Sequence, residues 1–168
     1  METDWLETLR QTIRQSSASL LEISDEASGT PRAEGKWSPK QIIGHLIDSA
    51  ANNHQRFVRA QFTDDLVCPT YDQEAWVESQ GYNNESWRDL VQLWRQYNLH
   101  LCHVMSAIPT DVRLKSRARH NLDRVAWQVV SSEQPVTLEY FMRDYAGHMQ
   151  HHLDQIFSGR YVISPNTE

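Results

Sequence analysis

The stretch TLEYFMRDYAGHMQHHLDQIF, residues 137–157, decides how this chain folds. Thr137 offers a hydroxyl N-cap, and Val136 ahead of it is placed to staple onto Phe141. Phe141, Tyr145, Met149, Leu153 and Ile156 recur at helical spacing with no proline among them, and Gly159 supplies a stop. With about 100° between successive residues, His148 and His152 fall on one row beside the apolar stripe, while His151 turns away. Two imidazoles on one half-buried row cost roughly a few kcal/mol if nothing bonds to them. A shared metal ion would satisfy both; separate hydrogen bonds within a core would do so too.

Three more helical blocks lie upstream. Residues 38–62 begin with Ser38 as N-cap, Pro39 at the first helical position and Gln41 completing a capping box. Ile42, Ile43, Leu46, Ile47, Ala50, Phe57 and Val58 follow. Residues 86–108 open at Ser86 with Asp89 three positions on. Trp87, Leu90, Val91, Trp94, Tyr97, Leu101, Val104, Met105 and Ile108 then form a strong amphipathic stripe, ended by Pro109. Residues 4–26 give a looser stripe through Trp5, Leu6, Leu9, Ile13, Leu20, Leu21 and Ile23, ended by Ser28-Gly29-Thr30-Pro31. The segment 63–85 reads as irregular. Residues 109–136 read as loop, with a short extended piece at 125–129. Four long helices without a sheet predict an all-α four-helix bundle, one domain over residues 1–168. Connections this long can travel the length of a helix, so the second and third helices can run parallel.

His45 sits in the second block, where it borders the buried face. With His148 and His152 it could form a three-nitrogen cage, leaving a position open for water or substrate. His54 lies nearly opposite His45 on its own helix and roughly 13 Å along the axis, too far to share one ion. His100 and His103 sit near a helix C-terminus, where solvated histidines are common. His120 lies in the long loop and carries no reading. The pair lacks the glutamate of the zinc-protease motif His-Glu-x-x-His.

The composition, 23% charged and 39% hydrophobic, is that of a globular chain, and the net charge of −6 gives nucleic-acid binding no electrostatic support. Arg113, Lys115, Arg117 and Arg119 make a small basic run that reads as a solvated loop or as the rim of a site for an anionic substrate. Cys68 and Cys102 are too few for a disulfide framework and are expected to be free thiols in a reducing compartment. The acidic N-terminus and the lack of a long apolar run predict a cytoplasmic protein with no membrane association.

Two segments resemble one family. WSPKQIIGHLID, residues 37–48, and GHMQHHLDQI, residues 147–156, are similar to the opening of helix two and the closing His-x-x-x-His helix of the DinB-like superfamily. The resemblance implies a four-helix bundle with an up-down-down-up path, commonly a homodimer. It implies a divalent metal, zinc or nickel with iron as a further candidate, held by His45, His148 and His152. Characterised relatives imply a thiol S-transferase joining a low-molecular-weight thiol to an electrophile, or a hydrolase using water activated on the metal. A non-catalytic, stress-associated metal-binding or interaction domain is the alternative. Asp48 and Asp144 are candidates to orient ligand rings, each competing with a plain surface charge. Gln155 and Trp37 are candidates to face the site, each competing with a packing role.

Overall fold

Hydroxyl side chains start three of the long helices. In the computed structural model, which describes residues 4–158, Ser38 Oγ accepts the Gln41 amide at 3.2 Å, and the Gln41 side chain accepts the Ser38 amide at 2.9 Å. Ser86 Oγ accepts from Asp89 and Thr137 Oγ1 from Tyr140 in the same way. The elements run α1 (Asp4–Leu20), α2 (Asp25–Ser28), α3 (Pro39–Arg59), α4 (Gln73–Gln80), α5 (Trp87–Ala107), α6 (Thr110–Leu114), α7 (Leu122–Val125) and α8 (Leu138–Phe157). Short 3-10 turns follow α3 and α4. The described residues contain no strand, only two isolated bridges. The stop expected at Gly159 lies outside the described residues.

The long helices α1, α3, α5 and α8 form the bundle. α5 packs against α1 and α3, and α3 packs in turn against α8. Leu6, Ile13, Ile43, Leu46, Phe57, Trp94, Leu101, Phe141 and Leu153 are buried between them. Each such side chain contributes roughly 2 kcal/mol by leaving water. None of the described helices is long and apolar enough to cross a membrane.

Four expectations are corrected. The first helix ends at Leu20, and Ser24 caps a separate turn, α2, by accepting the Ala27 amide at 3.1 Å. Asp25 at its start accepts the Trp87 amide at 2.8 Å and the Lys40 ammonium at 3.0 Å, tying together the starts of α3 and α5. The segment 63–85 is not wholly irregular: Asp72 Oδ1 accepts two amides at 3.1 Å to start α4, which buries only Val77 and so leaves no apolar stripe. The basic run is not a solvated loop. Arg113 is 5% exposed and pairs with Glu139; Arg117 is 2% exposed and donates to the carbonyls of Ala60, Thr63, Asp65 and Val112. Only Lys115 and Arg119 are exposed. Residues 125–129 form no strand, since α7 occupies their start.

Gly44 fixes how the turn after α4 meets α3. The Tyr82 ring lies where a side chain at this position would stand, with Cδ2 only 2.1 Å from an idealised Cβ. Tyr82 Oη then donates to Asp48 Oδ1 at 2.7 Å. Gly44→Ala should therefore cost about 3 kcal/mol of stability in urea denaturation. Combined with Tyr82→Ala, it should cost clearly less than the two losses added. Strict additivity would disprove the clash.

Candidate metal centre

The capping box sets the register of α3, and three turns of buried apolar residues lock it, so His45 points at α8. It is 1% exposed. Across the seam stand His148 and His152, both half-buried. His45 Nε2 and His148 Nε2 face each other at 3.2 Å. The three ring centroids lie 5.1, 4.7 and 4.6 Å apart, and one nitrogen from each ring falls within 4.8 Å of the others. Two zinc–nitrogen bonds of about 2.1 Å at a tetrahedral angle place their nitrogens about 3.4 Å apart, so the spacing suits a shared cation.

Electrostatics agree with that fit. Burial, with His152 adjacent, drives the His45 pKa down to about 3. Burial first, then the neighbouring rings, takes His148 to about 3 as well. His152 is lowered by burial, partly offset by its bond to Gln155. Neutral imidazoles are the form that binds metals.

Gln155 Oε1 lies 2.8 Å from His152 Nδ1, which fixes that ring with Nε2 turned to the other two. Trp37 lies 5.1 Å from the His45 ring and 6.4 Å from that of His152, centroid to centroid, covering one side of the trio. The two aspartates do neither job considered for them. Asp48 is 3% exposed and accepts from Tyr82 and Gln80, leaving His45 Nδ1 buried with no hydrogen-bond partner. Asp144 is 9% exposed, and its oxygens accept the Trp127 and Gln128 amides at 2.8 and 2.7 Å. It holds a loop across the site rather than a ligand ring. Burial raises the pKa of both carboxyls.

His151 faces solvent, and its Nε2 lies 3.1 Å from Gln155 Nε2. His54 meets Tyr97 and His100 on the α5 side, remote from the trio in the fold. His120 is buried: Nδ1 accepts the Leu122 amide at 3.1 Å, and Nε2 lies 2.8 Å from the Gln134 carbonyl.

A cavity of about 400 Å³ opens beside His45 and His148, walled by Ser49, Asn53, Arg56, Tyr71 and Trp127. A second hollow of about 720 Å³ lies beyond His152, Trp37 and Gln155. Sequence reading missed the polar wall of the first. The signal was present, because Ser49 and Arg56 follow His45 by four and eleven residues and so share its row.

The buried rings carry a pH signature. In the unfolded chain they titrate near 6.5, whereas in the fold they resist protonation down to about pH 3. Protons then bind the unfolded chain preferentially, so stability is full above pH 6.5 and is lost as pH falls through that window. Each ring contributes up to roughly 1.4 kcal/mol per pH unit. In the metal-free protein, His148→Gln should flatten the decline in unfolding free energy between about pH 6.5 and 5. The raised carboxyls of Asp48 and Asp144 act in the opposite sense in both proteins and cancel in the difference. An unchanged slope would mean that His148 is not held neutral.

The family model described as the DinB superfamily matches residues 8–156. YfiT of Bacillus subtilis, named as a candidate metal-dependent hydrolase, is 22% identical over 90% of this chain and 80% of its own. OB0782 of Oceanobacillus iheyensis, named in the same way, is 28% identical over 48% of this chain and 46% of its own. The solved structure of YfiT, assigned provisionally as a metal-dependent hydrolase with an unusual four-helix bundle topology, superposes with a TM-score of 0.70 at 20% identity, covering 91% of this chain and 84% of that one. The fold is thus shared, and the chain belongs to the DinB superfamily.

Proposed function

We propose that His45, His148 and His152 hold a divalent metal ion and that the chain is a metal-dependent enzyme delivering a small nucleophile to an electrophile in the adjoining cavity. The observation that carries this reading is the convergence of three neutral ring nitrogens, one pair 3.2 Å apart, at the edge of a cavity large enough for a small substrate. An all-imidazole donor set suits zinc or nickel, with iron as a further fit. When bound, such an ion acts as a Lewis acid and lowers the pKa of a coordinated thiol or water.

The chain's own groups set the conditions. Gln155 orients His152, Trp37 shields the His45 and His152 rings, and Asp144 holds the Trp127 loop over the cavity. The protein's own thiols are not the nucleophile: both are buried, with Cys68 raised and Cys102 raised to about 11 by desolvation. A nucleophile therefore has to enter with the substrate. Two versions fit. In S-transfer, the sulfur of a low-molecular-weight thiol bonds to the electrophilic carbon, and the thiol proton goes to the leaving group or to solvent. In hydrolysis, water contributes the oxygen instead, as the names of the relatives suggest.

Metal analysis of the purified protein after reconstitution should find a single ion per chain. His152→Ala should abolish stoichiometric binding, and full occupancy in that variant would refute the ligand set. Gln155→Leu should bind metal about 10- to 100-fold more weakly while remaining folded. Turnover of thiol–electrophile pairs against ester hydrolysis, each with and without metal, separates the two versions. A metal that raises the melting temperature while neither assay responds would leave a non-catalytic metal-binding domain.

A further inference from the structure

α3 carries a polar row inside the bundle. His45, Ser49, Asn53 and Arg56 fall within about 80° of one another around the helix. They are 1%, 3%, 6% and 6% exposed, yet all four line the 400 Å³ cavity. Such groups stay buried only when something bonds to them.

Arg56 is the unbalanced member. Its Nη2 donates to the Pro69 carbonyl at 2.8 Å, and its Nη1 reaches Asn53 Oδ1 at 3.4 Å. The Tyr71 and Phe141 rings hold the guanidinium in place, each centroid 5.9 Å from Cζ. These contacts engage two of the five N–H donors a guanidinium carries. Among the described residues no carboxylate forms an ion pair with it. Asp144, in the same cavity, is committed to two backbone amides, and Asp48, which accepts from Tyr82 and Gln80 through Oδ1, does not line this cavity. The other buried arginines differ: Arg113 has Glu139, and Arg117 has four carbonyls around it and does not line this cavity. A buried cation without a counter-charge, on the wall of a cavity, is a site for an anion.

We propose that this cavity takes a substrate bearing a carboxylate, which Arg56 receives at the end away from the histidines. A single planar fork matches a planar monoanion; a phosphate dianion would call for a second buried cation. Arg124, the other cation on the wall, is exposed and lies 3.7 Å from Asp123. Arg56 follows His45 by eleven residues, roughly 16 Å along the axis, and its side chain leans back toward the helix N-terminus. The substrate is accordingly elongated, with its carboxylate several bonds from the reacting atom. The placement of that reacting atom rests on the metal-centre reading above; the binding of a carboxylate by Arg56 does not.

The test is calorimetry on the full chain freed of metal, using hexanoate and its uncharged counterpart hexanamide. Hexanoate should bind at least about tenfold more tightly than the amide, and Arg56→Gln should weaken hexanoate by about tenfold or more while Arg124→Gln leaves it unchanged. Equal binding of acid and amide, no binding of hexanoate, preference for inorganic phosphate, or undiminished hexanoate affinity in folded Arg56→Gln would each overturn the proposal. Should that variant fail to fold, the Arg56 Nε–H signal of the native protein decides by NMR. A shift with hexanoate and none with hexanamide supports the assignment, and no shift with hexanoate rejects it. Because no metal is present, the result stands apart from failure of the histidine trio to bind one.

Discussion

The seam between α3 and α8 governs the rest of the molecule. Residues 42–50 of α3 are buried without a break, so polar side chains in that run can find partners only within the protein, and His45 Nδ1 and Asp48 Oδ2 find none. Asp48 is tied to Tyr82 and Gln80 on one side of the helix. Nearer its start, Lys40 reaches Asp25 and the Glu85 carbonyl. On the side facing α8, His45 meets only another imidazole through Nε2 and nothing through Nδ1. Hydrophobic packing that forces α3 and α8 together thereby brings three rings into one partly buried space where burial disfavours a proton on each. The convergence of the three rings follows from the packing of the seam.

The long connections act as walls of the site. Arg117 gathers the end of α3, the loop after it and α6 through its four carbonyl contacts, and its backbone pairs with Val136 just ahead of α8. Asn121 bonds the Cys68 backbone in both directions, at 2.9 and 2.8 Å, joining the two connections a second time. Asp144 then draws the Trp127–Gln128 backbone down onto α8, where Gly147 leaves room for the Trp127 ring. Two segments that would otherwise be free loops are held over the cavity by buried charged and polar groups. Anchoring of this kind lowers the ordering cost of binding a ligand in the pocket.

What the sequence disclosed, and what it hid, follows from the range of each signal. Caps and periodicity act over a few residues, so the starts of α3, α5 and α8 and the shared row of His148 and His152 were readable directly. His45 was readable as a candidate third ligand because it borders the buried face of its own helix, and the family resemblance pointed to the same three residues; helical spacing alone does not say which helix lies opposite. α4 escaped notice because it buries one residue and has no stripe to read. Arg113 and Arg117 were misread for a different reason: a run of charges signals solvent on average, and only tertiary contacts reveal that Glu139 and a ring of carbonyls take these two inside. Asp48 and Asp144 were misplaced in the same way, since proximity in sequence to a ligand says nothing of where a carboxylate finds its donors.

A charge balance ties the two ends of the cavity together. The histidine trio contributes no negative charge, so a divalent ion held there keeps its full charge apart from what an incoming ligand neutralises. The nearest carboxylate on the cavity wall, Asp144, is already committed to two amides. At the other end, Arg56 adds a second uncompensated cation. On the proposed reading, such a cavity takes anions at both ends, a carboxylate at Arg56 and an ionised thiol or water at the trio. The energy of holding the remote carboxylate can then go into orienting the reacting end, which raises rate only if the spacing between the two is right. The fold sets that spacing through the eleven residues between His45 and Arg56, so on the proposed reading α3 itself is the ruler for substrate length.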